Sequence, residues 1–177
     1  YHVAYGPGAL RCQRAFRVPI RQKWHKRLFP PGGETQQMAL METMAEPCGN
    51  AITKVYISHT RSRQPERGDV LLFVETKTDQ RITNIGIVED VIVTTDPIEV
   101  IEFAETRTVY SPEEVKQMCR KGMVHVMRFR HDRVLTKPWN ESLPGYAAWA
   151  GRTPQSIAEV GEEREEGVQW LKQHLGG

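Results

Sequence analysis

The sequence predicts an α+β fold, a small mixed β-barrel flanked by helices. Three observations carry that expectation. Short alternating or continuously apolar runs at 51–58, 69–75, 81–95 and 124–135 are separated by Gly, Pro, Asn and Asp clusters. Helical spacing is confined to a few segments between and after those runs. The regular strand–helix alternation of a doubly wound sheet is absent.

The elements follow in order. Residues 1–10 read as a strand or as the remnant of a preceding domain, so 1–16 are set apart as a linker and 17–177 as the domain. The basic stretch near Gln22–Leu28 has room for a short helix before Pro30, Pro31, Gly32 and Gly33 break it. From Glu34 to Glu46, Met38, Leu40, Met41, Met44 and Ala45 fall at helical spacing, and Pro47 ends the run. The alternation over Ala51–Ser58 is that of a strand, with Ile52, Lys54, Tyr56 and Ser58 on one side. Asp69–Glu75 reads as a buried strand. Arg81–Thr95 holds two β-rich runs, with Gly86 as a bulge or close-approach point and Thr78-Asp79-Gln80 as the turn before them. Pro97–Glu105 reads as a helix. A second helix starts at Ser111-Pro112-Glu113-Glu114, where Ser caps, Pro opens the first turn and Glu stands three residues after the cap. Gly122 closes it, and Val124–Leu135 alternates again. A loop from Ser156 then leads to a charged helix anchored by Trp170 and Leu171.

Hydrophobic residues make up 39% and charged residues 26% of the chain, a balance that supports a packed core and excludes a disordered chain. No apolar run approaches bilayer length, and no signal-peptide core stands near residue 1, so no membrane partner is expected. Cys12, Cys48 and Cys119 are odd in number and far apart, which suggests neither a disulfide framework nor a zinc knuckle and points to a reducing, cytoplasmic setting. The net charge of +2 hides an asymmetry. Residues 1–67 hold 11 basic against 4 acidic residues, and 68–177 hold 13 against 18. From Arg11 through Arg14, Arg17, Arg21, Lys23 and Lys26 to Arg27 no acid intervenes. Such a run suits a polyanion, because phosphate contact releases counterions, and it equally suits a basic linker.

The sequence lacks a P-loop, a dinucleotide-binding glycine motif, a zincin helix, a C-x-x-C pair and a nucleophile elbow. No metal, cofactor or catalytic group is therefore expected. Asn50, at the turn before the 51–58 strand, offers a donor and an acceptor to a base edge, or caps the turn. Gln155 offers the same pair in the Thr153–Ile157 loop, where Ser156 reads either as a ligand contact or as a cap. Among the aromatics, Tyr56 joins this set from its strand, and Trp139, in a Pro-flanked polar stretch, is the candidate for stacking on an extruded base. His59, Arg61 and Arg63 follow the strand at 51–58 and are placed for phosphate contact. Lys54 and Tyr56 share a strand face, so an enzymatic alternative exists: a hydrolase using Lys54, Tyr56, His59 and Arg63.

The stretches Gly49-Asn50-Ala51-Ile52 with Lys54 and Tyr56, Arg67-Gly68-Asp69-Val70-Leu71-Leu72-Phe73, and Ile85-Gly86-Ile87-Val88-Glu89 resemble EVE-like and ASCH-like members of the PUA superfamily. Arg107-Thr108-Val109-Tyr110-Ser111 and Pro154-Gln155-Ser156-Ile157 are similar to signatures of an EVE-like group fused behind acetyltransferase-type (GNAT) domains in prokaryotes. The resemblance implies a PUA-like barrel with a base-accepting pocket and DNA or RNA carrying a modified base as partner. It also implies base flipping where the target lies in a duplex, and an associated GNAT domain. Gly49 and Lys54 are too far apart for the ASCH signature G-x-K-x-x-E-x-R, so that family's ribonuclease activity is not carried over. The acetyl-CoA loop of GNAT proteins is absent as well. The expectation is a non-catalytic reader; a catalyst of the ASCH type and an accessory domain of a GNAT toxin are the alternatives.

Overall fold

The computed structural model describes residues 14–30, 52–59, 65–76, 81–150, 154–160 and 165–175. They form six strands and a set of short helices: β1 (Ala15–Arg21), α1 (Gln22–Leu28), β2 (Thr53–Ser58), β3 (Val70–Thr76), β4 (Ile82–Thr94), α2 (Pro97–Ala104), α3 (Pro112–Arg120), β5 (Val124–Trp139), α4 (Tyr146–Ala150), β6 (Ala158–Val160) and α5 (Glu165–Leu175). None of these helices is long and apolar enough to cross a membrane. The expected helix at 34–46 and the turn at 78–80 lie outside the described residues.

The strands make one sheet in the order β2-β5-β4-β3-β1-β6, with β1 parallel to β3 and every other pair antiparallel. Strand β1 begins at Ala15, so Ala15 and Phe16 belong to the sheet. Arg14 is fixed beside them by two hydrogen bonds to the Asp69 carboxylate, at 3.2 and 2.7 Å. Strand β3 is buried on both faces, which is why its sequence is continuously apolar. The two runs expected over 81–95 are one strand, β4, whose pairing slips at three places. One slip falls at Ile85/Gly86. There a Cβ on Gly86 would stand 2.5 Å from the Phe129 ring, so the position is the close approach its glycine predicted.

The two faces of the sheet bury separate clusters. On one, Val70, Leu72, Val74, Ile82 and Ile85 pack against Tyr146, Trp149, Leu171 and Leu175 of α4 and α5. On the other, Phe16, Val18, Ile20, Leu71, Phe73, Val88, Met127 and Phe129 pack with Tyr56, Ile157, Leu28 and Phe29. A third cluster seats α2 and α3 on Val55, Ile57, Val124 and Val126. Helix α3 opens with the expected capping box, in which Ser111 and Glu114 exchange hydrogen bonds.

The expected barrel is not closed among the described residues. The sheet is an open one, tightly curled. Strands β2 and β1 stand first and fifth in the order, which would hold them about 19 Å apart in a flat sheet. Yet the Tyr56 hydroxyl on β2 donates to the Pro19 carbonyl on β1 at 2.9 Å. What prevents backbone closure is that the outer edge of β2 is already occupied. Val55 N–H donates to the Arg107 carbonyl at 2.8 Å, and Val55 bridges Thr108 in parallel. A seam therefore runs between β1 and the 107–110 segment, spanned by side chains.

Candidate functional site

The seam collects an unusual set of side chains. Strand β1 passes directly into α1, so Arg21, Lys23, Trp24 and Arg27 follow one another along its rim. Trp24 is half-buried and packs on Tyr110 with ring centroids 4.8 Å apart. Lys23 Nζ lies 4.6 Å and Arg27 Cζ 5.2 Å from the Trp24 ring, so one indole carries two cations. Burial, followed by the Glu114 charge, pushes the Tyr110 phenol up to about 12. Burial raises Tyr56 as well, and Arg21 opposes both shifts. Both phenols are therefore neutral near pH 7. Strand β6 pairs with β1 only as far as Arg17–Ala158. Beyond that point Ile157 plugs into the cluster that holds Tyr56, while Ser156 and Gln155 stand exposed beside β1.

A second polar group lies inside the curl, at the mouth formed by the end of β3 and the start of β4. Glu75 accepts from His25 Nδ1 at 3.0 Å and from Arg81 Nε at 3.0 Å. The lone pair of His25 Nε2 accepts from the Thr83 hydroxyl at 2.8 Å, and Asn84 Nδ2, 3.1 Å from the same nitrogen, donates to Thr83 Oγ1 at 3.0 Å. The Asn84 carbonyl oxygen takes the Nε2 hydrogen of His131 at 2.9 Å. The slip in pairing between Ile82 and Asn84 is what lets Thr83 and Asn84 both reach His25. Burial lowers the pKa of His25. Burial, and then the Lys54 charge, lowers His131 to about 4. Lys54 is 1% exposed, with its ammonium 5.8 Å from the Phe29 ring centroid. The arrangement holds two neutral imidazoles, a carboxylate and an ammonium in one buried group, the kind of clustering that marks functional sites and structural networks alike. Among the described residues no three His, Cys, Asp or Glu side chains converge as a metal-binding group.

The predicted residues distribute unevenly over these features. Tyr56, Gln155 and Ser156 all lie at the seam. Ser156 precedes strand β6 and therefore caps no helix. His59 is exposed at the end of β2, its Nδ1 3.2 Å from the Met123 carbonyl. Asn50, Arg61 and Arg63 lie outside the described residues. Trp139 requires a correction of place. It is the last residue of β5 and not a loop residue, 6% exposed, with its ring edge-on to Trp170 at 5.1 Å. It belongs to the cluster under α4 and α5, on the face opposite Tyr56, because a large apolar ring at a strand end is drawn under the helices that follow. Sequence reasoning missed Trp24, Tyr110 as its partner, and the whole His25–Glu75–Asn84–His131 group. A signal existed for Trp24, an aromatic inside an acid-free basic run, and for Glu75, a carboxylate ending a buried strand.

No family model and no curated protein matches the sequence. Solved structures do match in fold. A serine-to-alanine variant of the ASCH protein of Zymomonas mobilis aligns with a TM-score of 0.63 at 11% identity, over 92% of this chain and 96% of that one. A tyrosine-to-phenylalanine variant gives 0.60 at 12% identity over 91% and 98%. The unsubstituted protein gives 0.58 at 13% identity over 90% and 94%. At such identities the likeness is one of fold, and this chain has an ASCH-like fold.

Proposed function

We propose that the chain binds nucleic acid and takes a base, a modified one, into the seam between β1 and the 107–110 segment. One observation carries the reading. Where a barrel would close by backbone pairing, this sheet presents the half-buried rings of Trp24 and Tyr110 beside the buried Tyr56, exposed Gln155 and Ser156, and a rim of arginine and lysine. Gln155 offers a donor and an acceptor to a base edge, the aromatic rings offer stacking surface, and the cations face the phosphates. Asn50, His59, Arg61 and Arg63 extend the same role to the sequence on either side of β2. The test is titration with matched oligonucleotides carrying unmodified, methylated or hydroxymethylated bases at low salt. We expect binding that discriminates among them, and a Gln155→Ala, Ser156→Ala variant that loses the discrimination. Absence of binding to all three would overturn the reading.

A second reading, a hydrolase, is favoured by the burial of Lys54 beside the neutral His131. Labelled RNA or DNA cut by the wild type and left intact by Lys54→Ala would select it.

A further inference from the structure

One charge on α1 stands against what a short helix prefers, while Lys26 and Arg27 occupy the last turn, where its dipole favours cations. Lys23 sits in its first turn, where the helix dipole favours an acid, and no acid is present there. Lys23 and Arg27 are four residues apart, a spacing at which like charges on a helix repel. Among the described residues Arg21, Lys23 and Lys26 make no ion pair. A sequence selected for helix stability alone would place a glutamate in that turn. Here the cost is tolerated, and Trp24 holds the two cations over its ring.

We propose that Lys23 and Arg27, both held over the Trp24 indole, form a phosphodiester clamp at the rim of the seam. The ligand is then a polynucleotide strand and not a free base or nucleoside. The inference rests on the seam reading and deepens it. Residues at this spacing have Cβ atoms about 5–6 Å apart, close enough to converge on one phosphate, and the indole fixes them before the ligand arrives. Strand polarity and register then come from α1, and base choice from the Tyr56 and Gln155 side of the seam.

The measurement is the salt dependence of binding to a labelled single-stranded oligonucleotide, between about 50 and 200 mM salt. Lys23→Gln and Arg27→Gln are each expected to lower the slope of log K against log salt by about 0.7. Each should weaken modified and unmodified oligonucleotides by the same factor. Trp24→Leu keeps both charges and is expected to weaken binding through lost positioning, with Trp24→Phe intermediate. Lys172→Gln, on the helix that covers the other face, should match the wild type. An unchanged slope in a Lys23→Gln, Arg27→Gln double variant that still discriminates bases would overturn the clamp and leave the seam reading standing. A change in base preference without a change in slope would equally overturn it. A wild type that binds no oligonucleotide would overturn both.

Discussion

His131 donates from Nε2 to Asn84 and lies beside the Lys54 ammonium, and His25 is closed in by Glu75, Arg81, Thr83 and Asn84. Both rings are neutral in the folded chain and have folded pKa values below the ordinary 6.5. Unfolding at a pH under 6.5 therefore takes up protons. Stability from the pair is fully present above that value and falls as pH drops below it, and the His131 share is lost as pH falls through about 4, where the folded ring is protonated too. His131 should contribute about 1–2 kcal/mol to that loss after allowance for solvent screening. Chemical denaturation of the wild type and of His131→Gln at pH 7 and pH 4.5 would show it as a shallower acid loss in the variant. Equal losses would sink the assignment. At this scale the sequence was least legible. Tyr56, Gln155 and Ser156 come together because a strand and the turn before β6 meet along β1, a pairing that no local pattern encodes. His25 and Asn84 stand 59 positions apart and meet through the curl of the sheet. The placement of Trp139 under α4 and α5 depends on helices that follow it in the chain.

The elements were more legible, because local chemistry fixes them. Gln22–Leu28, the strand ending at Ser58, the buried run of β3 and the box at Ser111 all stand where periodicity and capping put them. Strand β1 was hidden by its arginines, since Arg17 and Arg21 interrupt the apolar pattern and Pro19 argues against a central strand. The capping box makes a separable prediction. Ser111→Ala removes the side-chain acceptor for Glu114 N–H and should cost about 1 kcal/mol, a fall of roughly 2–4 °C in Tm. Because Tyr110 precedes the cap, the same variant should loosen the Trp24–Tyr110 pair. Faster amide exchange at Tyr110 and Ser111, with β3 unchanged, would mark that coupling; exchange unaltered at Tyr110 would refute it.

For the molecule as a whole, the difference between an open and a closed sheet turns on the seam. Mixed strands flanked by helices were visible in the sequence. Closure was not, because whether two edge strands pair depends on what else claims their backbone groups. Tyr56→Phe should cost about 1–2 kcal/mol by leaving the Pro19 carbonyl without its donor. Hydrogen exchange in β2 and at 107–110 should quicken while β3 keeps its protection. A uniform loss across all strands would show instead that the tie is global.

The proline in β1 has a consequence for life at high concentration. An open sheet exposes edges, and a bare edge is a template for a strand from another molecule. In a strand a residue's N–H and C=O face the same side, and residues two apart repeat it, so the side on which Arg17 meets β6 next presents Pro19 and then Arg21. Pro19 has no N–H to give, and its carbonyl is taken by Tyr56. An approaching strand finds neither group, and β2 is shielded in the same sense by Arg107 and Thr108. The sheet can thus stay open at the seam without inviting edge-to-edge aggregation.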